Sequence, residues 1–395
     1  MCGEGFFRRA HRLKILHTSD WHLGKRLMDR ERLPEQVEVL DELVSICEKE
    51  GVDLVLVAGD VFDTYLPPAE AEEVFFRAVK QLAKDGRAVV IVSGNHDDGM
   101  RLAAAAPLAG EEGVYLFGGR TTNIPIGSDR RVHAVSASEH HILIENEHGE
   151  RVFINALPYP NEARLKEEKT EETFSERMRR WIARGEAEYD GDAAYVLLSH
   201  LFVAGGRTSE SERDIDLGGA RAVPLACMPE TGYVALGHLH KPQRLGKTVY
   251  YSGSLLQYSF DEANTEKSIN LLTVHGRDIE VRSIPLKAGK RLVRLQSTGV
   301  EEALRLLPMY PDCYIELTLK LTAPLTSEET ESLRSANPGL VSLITQVDAG
   351  ETVKFVSRSA MKPAELFGEY YKSQFGEVPP DELKEAFLTL LEEGQ

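Results

Sequence analysis

Five times in this sequence a short apolar run stops abruptly at an aspartate, asparagine or histidine, and no other feature limits the possible folds as tightly. Residues 13–18 lead through Ser19 into Asp20-Trp21-His22, residues 52–58 through Gly59 into Asp60, and residues 87–93 through Gly94 into Asn95-His96-Asp97. Farther on, residues 194–199 end in His200 and residues 233–237 in His238-Leu239-His240. Near-continuous runs of Val, Leu and Ile are strands buried on both faces, as in parallel sheets. Residues past the carboxyl ends of such strands splay into the crevice where α/β folds bind ligands. Each run taken singly has a plainer origin as a strand end, a turn aspartate or a surface histidine. Five in one chain imply a shared site.

The segments between these runs carry helical spacing. Residues 34–50 place Val37, Leu40, Leu43, Val44, Ile46 and Cys47 on one face, and residues 69–84 do the same with Val74, Phe75, Ala78, Val79 and Leu82. Strand alternating with helix predicts βαβ units up to about residue 107. Asp98 reads as the cap of a helix over 101–106. Short strands at 114–117, 131–135, 141–144 and 151–156 are expected to continue into a second sheet. Residues 161–191, highly charged and helical around Trp181 and Ile182, read as a solvated insertion without chemistry of its own. The runs 248–254, 269–274 and 279–284 complete the sheets.

Residues 285–290 form a boundary, after which 291–296, 300–307, 313–321, 327–335 and 340–347 alternate strand and helix as a small α/β unit. The tail over 361–393 is helical in two pieces broken by Val378-Pro379-Pro380, and its apolar stripe suits packing on its own chain and docking on a partner helix equally. The expected divisions are a disordered lead-in over 1–12, a main domain over 13–285, a small domain over 286–360 and a terminal helical segment over 361–395. A length of 395 residues accommodates that many units. No apolar run approaches the roughly 20 residues of a membrane helix, and residues 1–12 lack the apolar core of a signal peptide. Cys2, Cys47, Cys227 and Cys313 are too scattered for a thiolate zinc site or a disulfide framework, which fits a reducing cytoplasm. Gly246-Lys247-Thr248 lacks the first glycine of a phosphate-binding loop, since Lys241 stands there, so any need for ATP falls to another chain. The net charge of −17 runs against phosphate binding, an objection that bound divalent cations answer locally.

Collected, the candidate metal ligands are Asp20, His22, Asp60, Asn95, His200, His238 and His240. Seven donors exceed one ion's needs and suit two that share a carboxylate, about 3.5–4 Å apart, the arrangement that clamps an in-line phosphoryl displacement. Imidazole and carboxylate without thiolate favour manganese, then iron or zinc, over magnesium alone.

In order, Asp20-x-His22, Gly59-Asp60-Val61-Phe62-Asp63, Gly94-Asn95-His96-Asp97, Ser199-His200 and Gly237-His238-Leu239-His240 resemble the motifs of the calcineurin-like metallophosphoesterases. Residues 17–24, 58–64, 209–213, 235–243 and 251–254 narrow the likeness to the nuclease-subunit family of bacterial SbcCD complexes. The resemblance implies a four-layer α/β sandwich of two mixed sheets flanked by helices, with a small α/β capping domain and C-terminal helices. It implies one ion held by Asp20, His22, Asp60 and His240 and another by Asp60, Asn95, His200 and His238, with Asp60 bridging. His96 would then stabilise or protonate the leaving oxygen and Asp97 would orient its ring, though as an isolated residue Asp97 also fits a helix cap. Asp63 fits a residue supporting the ligands and a simple turn residue equally. The resemblance further implies manganese-dependent cleavage of DNA, as an ATP-dependent 3′-to-5′ exonuclease on duplex ends and an endonuclease on single strands and hairpins. The ATP would be consumed by an SbcC-type ATPase docked on the C-terminal helices of a homodimer. Lys25, Arg26, Arg207, Arg213 and Lys241, close in sequence to the ligand strands, are the candidate DNA contacts.

Overall fold

The computed structural model describes residues 12–119, 124–127, 129–160, 172–212, 222–347, 352–353, 363–375 and 378–393. The lead-in over 1–11 and residues 161–171 of the charged segment lie outside them. Strand β1 (Leu13–Thr18), helix α1 (Leu33–Glu50), β2 (Leu54–Ala58), α2 (Ala69–Leu82), β3 (Ala88–Val92) and β4 (Val114–Phe117) follow one another in the expected βαβ pattern. Next come β5 (Val132–Ala137), β6 (His141–Asn146), β7 (Arg151–Leu157), α3 (Phe174–Glu186), β8 (Ala194–His200), β9 (Tyr233–Gly237), β10 (Gln243–Leu245) and β11 (Val249–Tyr251). The chain then returns through β12 (Ser268–His275) and β13 (Asp278–Pro285).

Two mixed sheets result, one in the order β13-β12-β1-β2-β3-β4 and the other β10-β11-β9-β8-β7-β6-β5. Parallel pairing sets Leu16 beside Val55 and Val55 beside Val89 in the first sheet, and Leu198 beside Ala235 in the second. Alternate residues of the same buried strand therefore serve two cores. Leu13, Ile15, Leu54 and Leu56 meet Ile144, Ile154, Val196 and Leu198 between the sheets, while Leu16, Val55 and Val57 face Leu40, Leu43, Val74 and Phe75 of α1 and α2. That double burial is why the runs lack polar alternation. On the far side Met178, Trp181 and Ile182 of α3 pack on Phe153, Leu197 and Val234, completing four layers.

Two expectations need correction. Val114–Phe117 joins the edge of the first sheet, parallel to β3, rather than the second. The charged segment is not merely solvated, because its helix α3 is the fourth layer. Gly185 lets the helix sit directly on β7, where a Cβ would stand 2.0 Å from Asn155 Oδ1, and Asn155 Nδ2 donates to the Ile182 carbonyl at 2.9 Å.

Strand β14 (Arg291–Ser297), α4 (Val300–Leu306), β15 (Cys313–Leu321), α5 (Ser327–Ala336) and β16 (Leu340–Val347) build the parallel part of a separate sheet, edged by an antiparallel Thr352–Val353, with its own core around Ile315, Leu317 and Leu333. It is tied to the sandwich by a buried polar joint. Arg32 Nε and Tyr314 Oη both donate to Glu35 Oε1, at 2.8 and 2.9 Å, and Leu292 N donates to Gln257 Oε1 at 2.7 Å. Helices α6 (Pro363–Phe375) and α7 (Asp381–Glu393) pack on each other through stacked Phe367 and Phe387. Leu366, Tyr370 and Leu383 on these helices stay exposed. No helix among the described residues is long and apolar enough to cross a membrane.

His17, between the sheets on β1, places Nδ1 2.9 Å from Tyr233 Oη, and burial pushes its pKa down to about 3. The folded protein thus keeps His17 neutral while the unfolded chain protonates it near its ordinary value of about 6.5. Its contribution to stability is complete above that value and is lost as pH falls from about 6.5 towards 3. Urea midpoints at pH 7 and pH 5 should show a smaller acid loss in His17→Leu than in the wild type. Equal losses would contradict the assignment.

Candidate metal centre

Strands β1, β2, β3, β8 and β9 run parallel, so their carboxyl ends open at one edge of the sandwich. The first sheet delivers Asp20, His22, Asp60 and Asn95 to that edge and the second delivers His200, His238 and His240. All seven are buried. The loops leaving β1 and β2 run side by side, with Asp20 N donating to the Gly59 carbonyl at 3.1 Å and His22 N to the Asp60 carbonyl at 3.0 Å. Asp20 Oδ1 accepts from His238 N at 2.8 Å and so ties the two sheets together. Four of the seven have positive φ: Asp20 (52°), His22 (46°), Asp60 (49°) and His238 (99°). For β-carbon-bearing residues this is strained backbone of the kind that collects at functional sites.

The side chains form two adjoining groups. His22 Nε2 lies 3.0 Å from His240 Nε2 and 3.5 Å from Asp60 Oδ2. His200 Nε2 lies 2.8 Å from Asn95 Oδ1, 3.3 Å from His238 Nδ1 and 3.3 Å from Asp60 Oδ2. Asp60 Oδ2 thus belongs to both groups. Among the described residues, Asp20 with His22 and His240, Asp20 with Asp60 and His200, and His22 with Asp63 and His96 each bring ligand atoms close enough to share an ion.

This donor set fits metal ions. His200 donates its Nδ1–H to the Ala58 carbonyl at 2.8 Å, so Nε2 is the nitrogen turned towards acceptor oxygens and another imidazole nitrogen. Acceptor atoms facing one another at such distances need a proton or a metal cation between them. Bonds of about 2.1 Å meeting at roughly a right angle place donors about 3 Å apart, the spacing seen here. Without a metal, a proton takes that place between His200 and Asp60. Burial acts to lower the His200 pKa, yet the Asp60 carboxylate overcomes it and raises the ring to about 9. Burial acts to raise Asp60, and His200 and His96 hold it well below the usual carboxylate range.

His96 and Asp97 follow Asn95 at the end of β3. His96 N donates to Asp60 Oδ1 at 2.9 Å, and its ring Nδ1 meets the Asp63 carbonyl at 2.7 Å, edge-on to the His22 ring. The Asp97 carboxylate instead accepts from the backbone of Gly94, Phe62 and Val61 at 2.8, 2.9 and 3.2 Å. The Asp63 carbonyl thus holds one nitrogen of the His96 ring, and Asp97 braces the β2 and β3 loops against each other. Burial, reinforced by the charge of Asp60, pushes Asp97 up to about 6. The helix cap is Asp98, whose side chain accepts from Met100 N and Arg101 N. Asp63 Oδ1 lies 3.3 Å from His22 Nδ1 and accepts from Lys25 Nζ at 2.8 Å, so it supports the site instead of merely turning the chain.

Of the basic residues, Lys25 is engaged by Asp63, and Lys241 by Asp261 at 2.7 Å and the Thr208 carbonyl at 2.8 Å. Arg26 is exposed and pairs with Glu31 at 2.8 Å, Arg207 is exposed, and Arg213 lies outside the described residues. Sequence reading missed Gln36, whose amide donates to the His22 carbonyl at 2.7 Å and to Tyr258 Oη at 2.9 Å, and the buried Glu262 and Lys267 behind His240. No local pattern separates these from surface polar residues.

A profile for the calcineurin-like phosphoesterases matches residues 13–242. The SbcD subunit of the SbcCD nuclease of Bacillus subtilis (strain 168) is 37% identical over 400 residues, spanning 96% of this chain and 97% of that protein. Among solved structures, a Thermus thermophilus protein aligns with a TM-score of 0.38 and 15% identity over 69% of this chain and 99% of its own. A dimetal phosphatase from Danio rerio aligns with a TM-score of 0.38 and 11% identity over 70% of this chain and 99% of its own.

Gly94 makes the closest approach at the centre: a Cβ there would stand 2.1 Å from Asp60 Oδ1 and 2.3 Å from Asp60 N. Gly94→Ala should displace Asp60 and weaken divalent-metal binding by roughly tenfold or more. Gly299→Ala, where a Cβ meets nothing within 4 Å, should leave it unchanged. Calorimetric titration checks both, and wild-type affinity in Gly94→Ala would contradict the geometry.

Proposed function

Because the chain belongs to the calcineurin-like phosphoesterases and, within them, to the SbcD family of nuclease subunits, we propose that it is the nuclease component of a DNA-processing complex. It hydrolyses phosphodiester bonds, as an ATP-dependent 3′-to-5′ exonuclease on duplex ends and as an endonuclease on single strands and hairpins. Its setting is DNA repair, recombination and replication, in a cytoplasm where it associates with the nucleoid. The observation that carries this reading is the convergence of seven oxygen and nitrogen donors with Asp60 common to both groups.

In this reading Asp20, His22, Asp60 and His240 hold one ion and Asp60, Asn95, His200 and His238 the other, and manganese suits the donors best. When bound, such a pair supplies Lewis-acid charge at the phosphate and an acidified water. The protein's own residues do the rest. Asp60, kept ionised, sits where it serves both groups. His96, with Nδ1 held by the Asp63 carbonyl, presents its other ring nitrogen to the leaving oxygen as hydrogen-bond donor or acid. Asp97 keeps the loops bearing Asp60 and Asn95 in register. Lys25, Arg26, Arg207, Arg213 and Lys241 are the candidate DNA contacts. Arg207, exposed, is the better placed of them, and Lys25, Arg26 and Lys241 would first have to leave their carboxylate partners.

The chain's division into a nuclease domain over 13–285, a capping domain over 286–360 and a partner-docking segment over 361–395 belongs to the same proposal. An SbcC-type ATPase supplies the ATP turnover and binds the terminal helices, which expose Leu366, Tyr370 and Leu383, in a heterotetramer built on a homodimer of this chain.

With manganese and a labelled hairpin DNA, the wild type should cleave and His96→Ala should be slower by roughly 100- to 10,000-fold while binding manganese normally. Absence of cleavage by the wild type, with and without the ATPase, would reject the nuclease reading. Undiminished cleavage by His96→Ala would reject the role of His96. Deleting residues 361–395 should abolish co-purification with the ATPase and preserve basal manganese-dependent cleavage; persistent co-purification would contradict the docking assignment.

A further inference from the structure

We propose that Ser211 is a positioning residue for the metal centre: its hydroxyl carries the charge of a buried Glu262–Lys267 pair to the His240 ring and fixes which ring nitrogen faces the ion. The inference deepens the metal-centre reading given above and rests on it.

The geometry is a three-part relay. Ser211 Oγ lies 2.6 Å from His240 Nδ1 and 2.7 Å from Glu262 Oε1. Glu262 Oε1 is itself 3.9 Å from the same ring nitrogen, too far for a direct hydrogen bond. The serine therefore bridges a gap that the carboxylate cannot close.

Counting protons fixes the direction. Glu262 is fully buried and ion-paired with Lys267, also buried, so it is a carboxylate with only acceptor capacity. Ser211 Oγ also lies 2.9 Å from Ser209 Oγ, whose own proton goes to Glu212, and the one hydroxyl proton of Ser211 goes to the carboxylate of Glu262. The serine oxygen then has only lone pairs for the ring, so His240 must supply the proton from Nδ1. Its Nε2 is left with a lone pair, and that is the nitrogen 3.0 Å from His22 Nε2. Histidine ligands owe tautomer and orientation to the partner of their other nitrogen.

The same cluster holds the His240 backbone. Glu212 Oε1 accepts from His240 N at 2.7 Å, and Lys267 Nζ donates to the His240 carbonyl at 2.7 Å and to Ser254 Oγ at 2.8 Å. Ser209 N and Oγ donate to Glu212 and so steady the short turn that carries Ser211. The two ligand groups are built differently here. His200 takes its tautomer from a main-chain carbonyl, that of Ala58, which any residue at 58 would offer. His240 depends on one side-chain hydroxyl, so a single substitution should disturb its group alone.

The test titrates wild type, Ser211→Ala and Ser211→Thr with manganese, following free ion by electron paramagnetic resonance. In parallel, 15N spectra of histidine-labelled metal-free protein report the His240 tautomer. Ser211→Ala should weaken one of two sites by roughly 10- to 100-fold, spare the other, and lose the Nδ1-protonated signature of His240. Ser211→Thr, which keeps the hydroxyl, should restore both. Wild-type affinity at both sites of Ser211→Ala, or equal weakening of both sites that threonine does not rescue, would overturn the relay. Wild-type protein that binds no manganese would overturn the metal-centre reading itself, and this inference with it.

Discussion

Buried lone pairs aimed at one another dominate this structure. Imidazole nitrogens and carboxylate and amide oxygens from both sheets stand about 3 Å apart at one edge of the sandwich. Burying polar groups in this way costs free energy unless something compensates them. The protein makes the arrangement possible by holding each donor from behind: Ala58 holds His200, Asp63 faces His22, and His238 N holds Asp20. A cation placed between the donors turns mutual repulsion into ligation, so the constellation reads as one built around divalent ions.

The fold accepts strain to create that point. Strands buried on both faces supply a rigid base, and their parallel direction gathers every candidate ligand at one edge. Just past the strands the backbone turns sharply, through positive φ at Asp20, His22, Asp60 and His238. Glycines stand where the loops approach most closely. At Gly59 a Cβ would meet His200 Nδ1 at 2.4 Å, and at Gly237 it would meet the Ala58 carbonyl at 1.9 Å. The interdigitated apolar layers on both sides of each sheet offset these local costs.

Much of this was legible in the sequence because it is written locally. An apolar run ending in Asp20 or His200 gives both the strand and the residue at its end, and helical spacing marks α1 and α2. What escaped depends on distant pairing. Val114–Phe117 looks like any other short strand, and only its hydrogen-bond partner assigns it to the first sheet. Helix α3 reads as a charged surface segment until Gly185 is seen to lie against Asn155. Gln36, Glu262 and Lys267 sit among ordinary polar residues in the sequence, and their partners lie far away or on another turn of the chain. The bracing contacts of Asp97 escaped for the same reason: they reach backbone groups of two loops, which no motif displays.

The joint between the sandwich and the smaller sheet meets the site at one place. Glu35 binds Tyr314 of the smaller unit while Gln36, its neighbour on α1, binds the His22 carbonyl, so one helical turn touches both. The proposed function depends on Asp60 lying between two ions. Anomalous diffraction from crystals grown with manganese tests this most directly. Two peaks about 3.5–4 Å apart, with Asp60 in contact with both, are the predicted result; a single peak, or two peaks with Asp60 bound to only one, would contradict it.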